Sequence, residues 1–470
     1  MAEDLAFATA TEQARRIRER EVTSTELVDG YLERIQRFDG ALNSYVEVLT
    51  DRARTQAAQA DRAVAEGAEL GPLHGVPVSI KDLHFLAGAR VTMGTASCAD
   101  MEAPLDEASV ARLLAAGAIP LGKTNVPELG SIGHTATSLL GPCATPWDLE
   151  RNAGGSSGGG GAALAAGLCA LAQGSDGGGS IRIPAAINGL VGLKPARDRI
   201  SNGPLLGELA FGLATSGALT RSVADAALAL EVMAGYELGD PGMAPPPPRP
   251  FVDELGAPVR AGRIGITRQT PYTPGGLHGS VVDALDATVE QLEELGHRVE
   301  EVELPIGEDV AEQVRTIWSA SVAAQPFDQE RYEPVNRYLV EVARGKTAAD
   351  AAAAQFALQL LARSVVTETA HLDAVVMPVL AGPSRRNDHY EGWSGQEIFE
   401  DQTAWVGLTP FVNVTGQPAI SLPVHHDADH GPVGVQLVGR PWDEAGLLRL
   451  AAQLEEAVGW LDRDPPPYVV

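Results

Sequence analysis

Cysteine, lysine, aromatic side chains and long apolar runs are all scarce in this chain of 470 residues. Each scarcity excludes something. The three cysteines, Cys98, Cys143 and Cys169, sit among apolar or small residues without paired spacing, so neither a disulfide framework nor a thiolate metal site is predicted. A reducing cytoplasm fits best. The opening residues, Met1-Ala2-Glu3-Asp4, show no basic segment followed by an apolar core, which predicts no secretory leader. The longest uncharged stretch, Asn152 to Ser175, has the length to span a bilayer but is crowded with glycine and serine, so a membrane helix is rejected. Positive charge is also short: 35 Lys+Arg against 62 Asp+Glu leave a formal charge of -27, a field that repels phosphate backbones and anionic headgroups. Nucleic acid and membranes are excluded as partners, while self-association as a homodimer is compatible with the sequence.

Only four of the basic residues are lysine: Lys81, Lys123, Lys194 and Lys346. Arginine supplies nearly all the positive charge, so a retained lysine is a candidate for the one task a guanidinium cannot do, which is to lose its proton and act as a base. Composition bias is the competing account. With 44% hydrophobic residues, the chain can bury roughly three quarters of its unfolded surface, and it is globular.

Helical spacing over 9–38, with Thr23-Ser24-Thr25-Glu26 as a cap between two helices, and an Ala-rich helix over 51–66 open the chain. Short apolar runs at 76–80, 118–121, 168–172 and 190–193 then read as buried strands, between helices at 107–116, 161–166 and 223–233. This alternation predicts an α/β fold with a mixed, mostly parallel central sheet covered by helices on both faces. Pro245 to Pro248 mark a linker over 243–250. After it come strands at 263–267, 298–304, 373–377, 419–424 and 433–438, with helices at 279–295, 348–371 and 444–458. The run 433–438 is too apolar for an exposed edge, so this half is expected to extend the same sheet. The organisation predicted is one domain over 1–470, with N-terminal helices to about 70, a core over about 71–240, and a C-terminal extension.

Gly117 to Thr124 matches the phosphate-loop pattern G-x-x-x-x-G-K-[ST], which makes a nucleotide triphosphatase a rival hypothesis. Context disfavours it. A helix precedes the motif, Ile119-Pro120-Leu121 is strand-like, and Pro127 would interrupt the helix that should begin at Lys123.

Two glycine clusters carry serines: 154–161, with Ser156 and Ser157, and 174–180, with Ser175 and Ser180. Flexible linker is the ordinary reading of such runs. Here, however, both join the apolar segment 162–173, and glycine beside buried elements supplies unusual backbone angles or close approach. Lys81 follows the apolar run 76–80, where burial would depress its pKa unless Asp82 pairs with it; the local sequence leaves both outcomes open. A serine nucleophile needs a base, commonly histidine. None of the ten histidines lies in a serine-bearing bend, and His74, His84 and His134 read as structural. A Ser/Lys arrangement is the economical assignment.

The motifs Gly75-Val76-Pro77-Val78-Ser79-Ile80-Lys81-Asp82, Gly122-Lys123-Thr124-Asn125 with Pro127-Glu128, Gly-Gly-Ser-Ser-Gly-Gly, and Gly-Ser-Asp-Gly-Gly-Gly-Ser-Ile-Arg-Ile-Pro resemble the amidase signature family. The likeness is strong from 71 to 195 and weaker from 410 to 439. The resemblance implies hydrolysis of a carboxylic amide C–N bond through a seryl acyl-enzyme. It assigns Lys81 as base, Ser156 as the relay serine after a cis peptide, and Ser180 as nucleophile. The interval from Ser156 to Ser180 matches the one the family has, so the resemblance favours Ser156 over Ser157. It further implies an oxyanion hole from the N–H groups of Gly177, Gly178, Gly179 and Ser180, with Asp176 and Arg182 bracing the loop, and no metal or organic cofactor. Gly177 and Gly160 replace residues the family usually has larger, so both bends are expected to be looser. Ala196 stands where the family often has Thr. Ile183 stands where the glutamine-dependent tRNA amidotransferase subunit usually has Gln, which leans toward a free-standing amidase over an amidotransferase subunit. The stretch 192–204 is similar to the branch that hydrolyses nylon-oligomer cyclic dimers. The expected substrate is a small-molecule amide, anilide, carbamate or lactam oligomer with an apolar or aryl acyl part, and Trp147, Trp318, Phe327, Trp393 and Trp405 are candidate pocket linings.

Overall fold

The computed structural model describes residues 5–307 and 309–470. Eleven of the strands form one mixed sheet. In spatial order they are Tyr45–Val48, Ile119–Thr124, Pro77–Lys81, Leu171–Asp176, Thr215–Thr220, Val191–Lys194, Ala419–Asp427, Gly431–Gly439, Ala374–Pro378, Arg263–Ile266 and Arg298–Glu301. Pro77–Lys81 runs parallel to both its neighbours, and Arg263–Ile266 does the same near the opposite edge. All other pairings in the sheet are antiparallel and outnumber the parallel ones, since Ala419–Asp427 and Gly431–Gly439 form a hairpin and Thr215–Thr220 enters between Leu171–Asp176 and Val191–Lys194.

Successive strand residues point to opposite faces, so a strand buried at every position is covered on both sides. Pro77–Lys81, Ile119–Thr124, Leu171–Asp176 and Thr215–Thr220 are all of this kind. Helices supply the cover. The expected cap forms: Thr23 accepts from the Glu26 N–H and the Glu26 carboxylate accepts in return from Thr23, which starts the helix Ser24–Leu42. Helix Ala10–Arg18 is held from a distance, its first N–H groups donating to the buried Asp225 carboxylate.

Met243 to Pro250 carries no regular element, yet the sheet continues past it, because Ala419–Asp427 pairs with Val191–Lys194. The run 433–438 lies inside a strand with a neighbour on each side. Sequence reading missed Thr215–Thr220, whose Thr-Ser-Gly-Ala-Leu-Thr composition lacks an apolar run, and the helices Val310–Ala323, Pro334–Arg344, Gly395–Val406 and Thr409–Thr415. The phosphate-loop match is a buried strand: Lys123 lies within Ile119–Thr124 and no helix begins there. Among the described residues, no helix is long and apolar enough to cross a membrane.

Candidate active site

Strand Pro77–Lys81 is uncharged until its last residue, and it runs parallel to Leu171–Asp176 with Ile80 beside Gln173. Parallel register brings their C-terminal ends out together. That is why Lys81 meets Ser175 although they lie far apart in sequence, at the strand ends where open α/β sheets place their ligands.

Lys81 is wholly buried. Its Nζ lies 2.9 Å from Ser156 Oγ, 3.1 Å from the Ser175 carbonyl and 3.2 Å from Ser175 Oγ. No carboxylate makes an ion pair with it among the described residues. Burial lowers its pKa to about 7, against a weaker opposing pull from Asp176. Asp82 instead pairs with Lys123, 3.1 Å away on the neighbouring strand, which resolves the question the local sequence left open. A neutral amine offers two N–H groups and one lone pair. The Ser175 carbonyl can only accept, so the lone pair is left for a serine hydroxyl.

Ser156 follows a cis peptide from Gly155 and precedes helix Gly158–Ala165. The glycines from 158 to 161 are therefore a helical first turn rather than a bend. A Cβ on Gly159 would stand 2.3 Å from the Asn125 nitrogen and 2.5 Å from the Ser44 carbonyl oxygen, so only glycine lets this turn press against those backbones. The looseness expected at Gly177 and Gly160 is absent: a Cβ at Gly177 would meet the Trp318 ring at 3.0 Å, and one at Gly160 would meet the Ala172 methyl at 3.2 Å. Neighbouring side chains already fill that room.

Ser180 is 8% exposed and shares a cavity wall with Ser156 and Gly177. No hydrogen bond joins the two serine hydroxyls. The loop before Ser180 winds around Asp176, whose carboxylate accepts from the Gly179, Ile181 and Arg182 N–H groups and from the Arg182 guanidinium at 2.8 and 3.0 Å. Arg182 extends the brace to Gln436 and Asn413. Together they hold the Asp176 carboxyl well below the usual carboxylate range despite its burial. One sequence expectation changes here. The Gly179 N–H donates to Asp176 Oδ1 at 2.7 Å, so it is taken and cannot face a substrate oxygen. The N–H groups of Gly177, Gly178 and Ser180 have no acceptor among the described residues and remain free as donors.

Two cavities meet at Ser180. The larger, of about 580 Å³, is lined by Ser156, Ser175, Leu83, Glu107, Leu206 and Phe211, among others. The smaller, of about 110 Å³, is lined by Gly178, Tyr272, Val310, Val314, Phe399 and Phe411, among others. Trp318 belongs to both and donates from its indole N–H to the Ser131 carbonyl. It is the one expected aromatic that reaches the site. Trp405 is core, Trp147 packs against His426 elsewhere, Trp393 lies against His389 and Tyr390, and Phe327 packs beside Tyr332. Sequence reading missed Ser175 as a partner of Lys81 and the 202–214 loop as a wall. Ser175 stands inside the Gly-Ser-Asp-Gly motif, but only strand register reveals its neighbour. Of the histidines, His74 contacts the Ala60 carbonyl, His134 is held near 4 by burial, and His84 contacts Glu107 from the larger cavity's wall.

Serine hydroxyls, a dry amine and free backbone donors thus gather where the two cavities meet in a mixed α/β sheet. The Amidase family model matches residues 26–448, and the chain belongs to that family. Among solved structures, it resembles 6-aminohexanoate cyclic dimer hydrolase with a TM-score of 0.89 and 32% identity over 99% of this chain and 100% of that one. It is 33% identical to an acylamidase of Rhodococcus erythropolis, over 100% of this chain and 99% of that protein. It is also 33% identical to a glutamyl-tRNA(Gln) amidotransferase component from a Synechococcus strain, over 95% of this chain and 96% of that one. The protein is an amidase, an enzyme that hydrolyses carboxylic amide C–N bonds.

Proposed function

We propose that hydrolysis proceeds through an acyl group on Ser180, with Lys81 as the base and Ser156 as the relay between them. The observation that carries this reading is the buried Lys81 amine, 2.9 Å from Ser156 Oγ and without a carboxylate partner. Near neutral pH much of it is unprotonated. It takes the Ser156 proton as Ser156 takes that of Ser180, after the Ser180 side chain turns toward it within their shared cavity. Ser180 Oγ attacks the amide carbonyl. The resulting oxyanion is met by the free N–H groups of Gly177, Gly178 and Ser180, which a glycine loop leaves unshielded. The C–N bond breaks as Ser156 returns the proton to the leaving nitrogen, and water then repeats the sequence to free the acid. The Asp176–Arg182 brace fixes the donor loop.

Mass spectrometry after a serine-directed covalent probe tests this. A label on Ser180 is expected, and a label on another serine with Ser180 untouched overturns it.

The continuous sheet supports reading 1–470 as one domain, with N-terminal helices to about 70 and a C-terminal extension beyond 250. Three buried, unpaired cysteines support a cytoplasmic location, which cell fractionation checks. Self-association as a homodimer belongs to the same proposal and is read by sedimentation.

A further inference from the structure

The two cavities at Ser180 differ in size, in charge and in which catalytic groups they contain. Ser156 and Ser175 line only the larger one, Gly178 lines only the smaller, and Gly177, Gly130, Trp318 and Ser180 line both. If Ser156 delivers the proton to the departing nitrogen, that nitrogen must face the cavity Ser156 lines. The acyl carbon's other substituent is then directed past Gly178 into the smaller space.

We infer that this enzyme acts on amides of short, apolar acyl groups with bulky neutral or cationic amines: the acyl group occupies the small cavity walled by Val310, Val314 and Phe411, and the amine occupies the large one. The inference rests on Ser180 being the nucleophile. Charge sets the second half of the selectivity. Among the described lining residues of both cavities the only carboxylates are Glu107 and Glu208, both in the larger one, where His84 contacts Glu107. No arginine or lysine stands in either wall to pair with a substrate carboxylate, and a desolvated anion without a partner is strongly disfavoured. An ammonium on the amine part has the Glu208 carboxylate to approach, since both oxygens of Glu107 already contact His84. Free glutamine, whose α-carboxylate would lack a partner, is a poor substrate on the same ground. Trp318 is the partition: its ring lies against Gly177 and is pinned by the Ser131 carbonyl, so the two spaces stay separate.

The experiment measures kcat/KM for acetyl, butyryl and octanoyl anilides, then for acetylated amines of rising bulk carrying an ammonium, no charge or a carboxylate. Acyl adducts on Ser180 are followed by mass spectrometry in the same incubations. Octanoyl is expected to fall below acetyl by about tenfold or more, because a space of about 110 Å³ cannot seat the added methylenes. The carboxylate-bearing amine is expected to be the poorest of its series. Ala311→Leu, which fills the small cavity, lowers butyryl relative to acetyl, whereas Val314→Ala raises it. Octanoyl equal to or better than acetyl, a carboxylate preferred over an ammonium, or an acyl-length order unmoved by both variants overturns the assignment. When Ser180 is acylated in those cases, the nucleophile reading survives and only the cavity assignment falls. Hydrolysis without any Ser180 adduct overturns both.

Discussion

Strands Pro77–Lys81 and Ile119–Thr124 lie side by side and parallel, and each carries a lysine with no exposed surface. Their surroundings differ. Lys123 Nζ donates to the carbonyls of His84 and Arg90 at 2.9 Å and faces the Asp82 carboxylate at 3.1 Å. Lys81 meets two serine hydroxyls and one carbonyl. Burial pushes both amines toward neutrality, but only Lys123 has an ion-pair partner pulling the other way. Burial makes a lysine expensive to charge, and the partner decides whether it becomes a structural ion or a base.

Activity gives the largest effect with which to break this comparison. Ser180→Ala and Lys81→Arg are each expected to lower kcat/KM by about 10⁴-fold or more, because groups that act as a unit fail together and a guanidinium cannot give up its proton. Lys81→Arg should be as inactive as Lys81→Ala; appreciable turnover in the arginine variant would remove lysine as the proton acceptor. Lys123→Met should instead be read out as stability, with a loss of about 3–5 kcal/mol in denaturant unfolding from an Asp82 left buried and unpaired. Folded, soluble Lys123→Met of native stability would show that the pair contributes nothing.

The pH dependence is smaller and sharper. Protonated Lys81 cannot accept a proton, so kcat/KM should climb about tenfold per pH unit up to about 7 and level off above it. A profile flat from acid pH to 7 would separate the amine from the rate. The smallest effect is thermodynamic. The unfolded chain keeps the Lys81 proton up to 10.5, while the folded protein releases it near 7. Between those values the unfolded state binds more protons, so raising pH stabilises the native state. Lys81→Met should lose that slope, which urea midpoints across the alkaline range would reveal, and at neutral pH it should remain about as stable as the parent.

Much of this contrast was legible in the chain itself. Four lysines among so many arginines marked the residues worth placing, and apolar runs located the strands carrying Lys81 and Lys123. The glycine clusters marked the backbone turns around Ser156 and Ser180. The local sequence did not reveal that Asp82 pairs with Lys123 rather than with Lys81, because alternation along a strand sends adjacent side chains to opposite faces and the partner comes from the next strand. Nor did it reveal that Gly179 donates to Asp176, since a loop's hydrogen bonds depend on which way each peptide turns.

Composition and periodicity by themselves gave the fold class and pointed to a serine and lysine arrangement, because burial and backbone freedom are written locally in residue type, and the resemblance of the ordered motifs to the amidase signature family implied the amide chemistry. Which amine keeps an ion-pair partner, which loop donors stay free, and which of five aromatics lines both cavities were decided only in three dimensions. Those outcomes depend on contacts between segments distant in the chain, whose register is set by packing of the whole sheet.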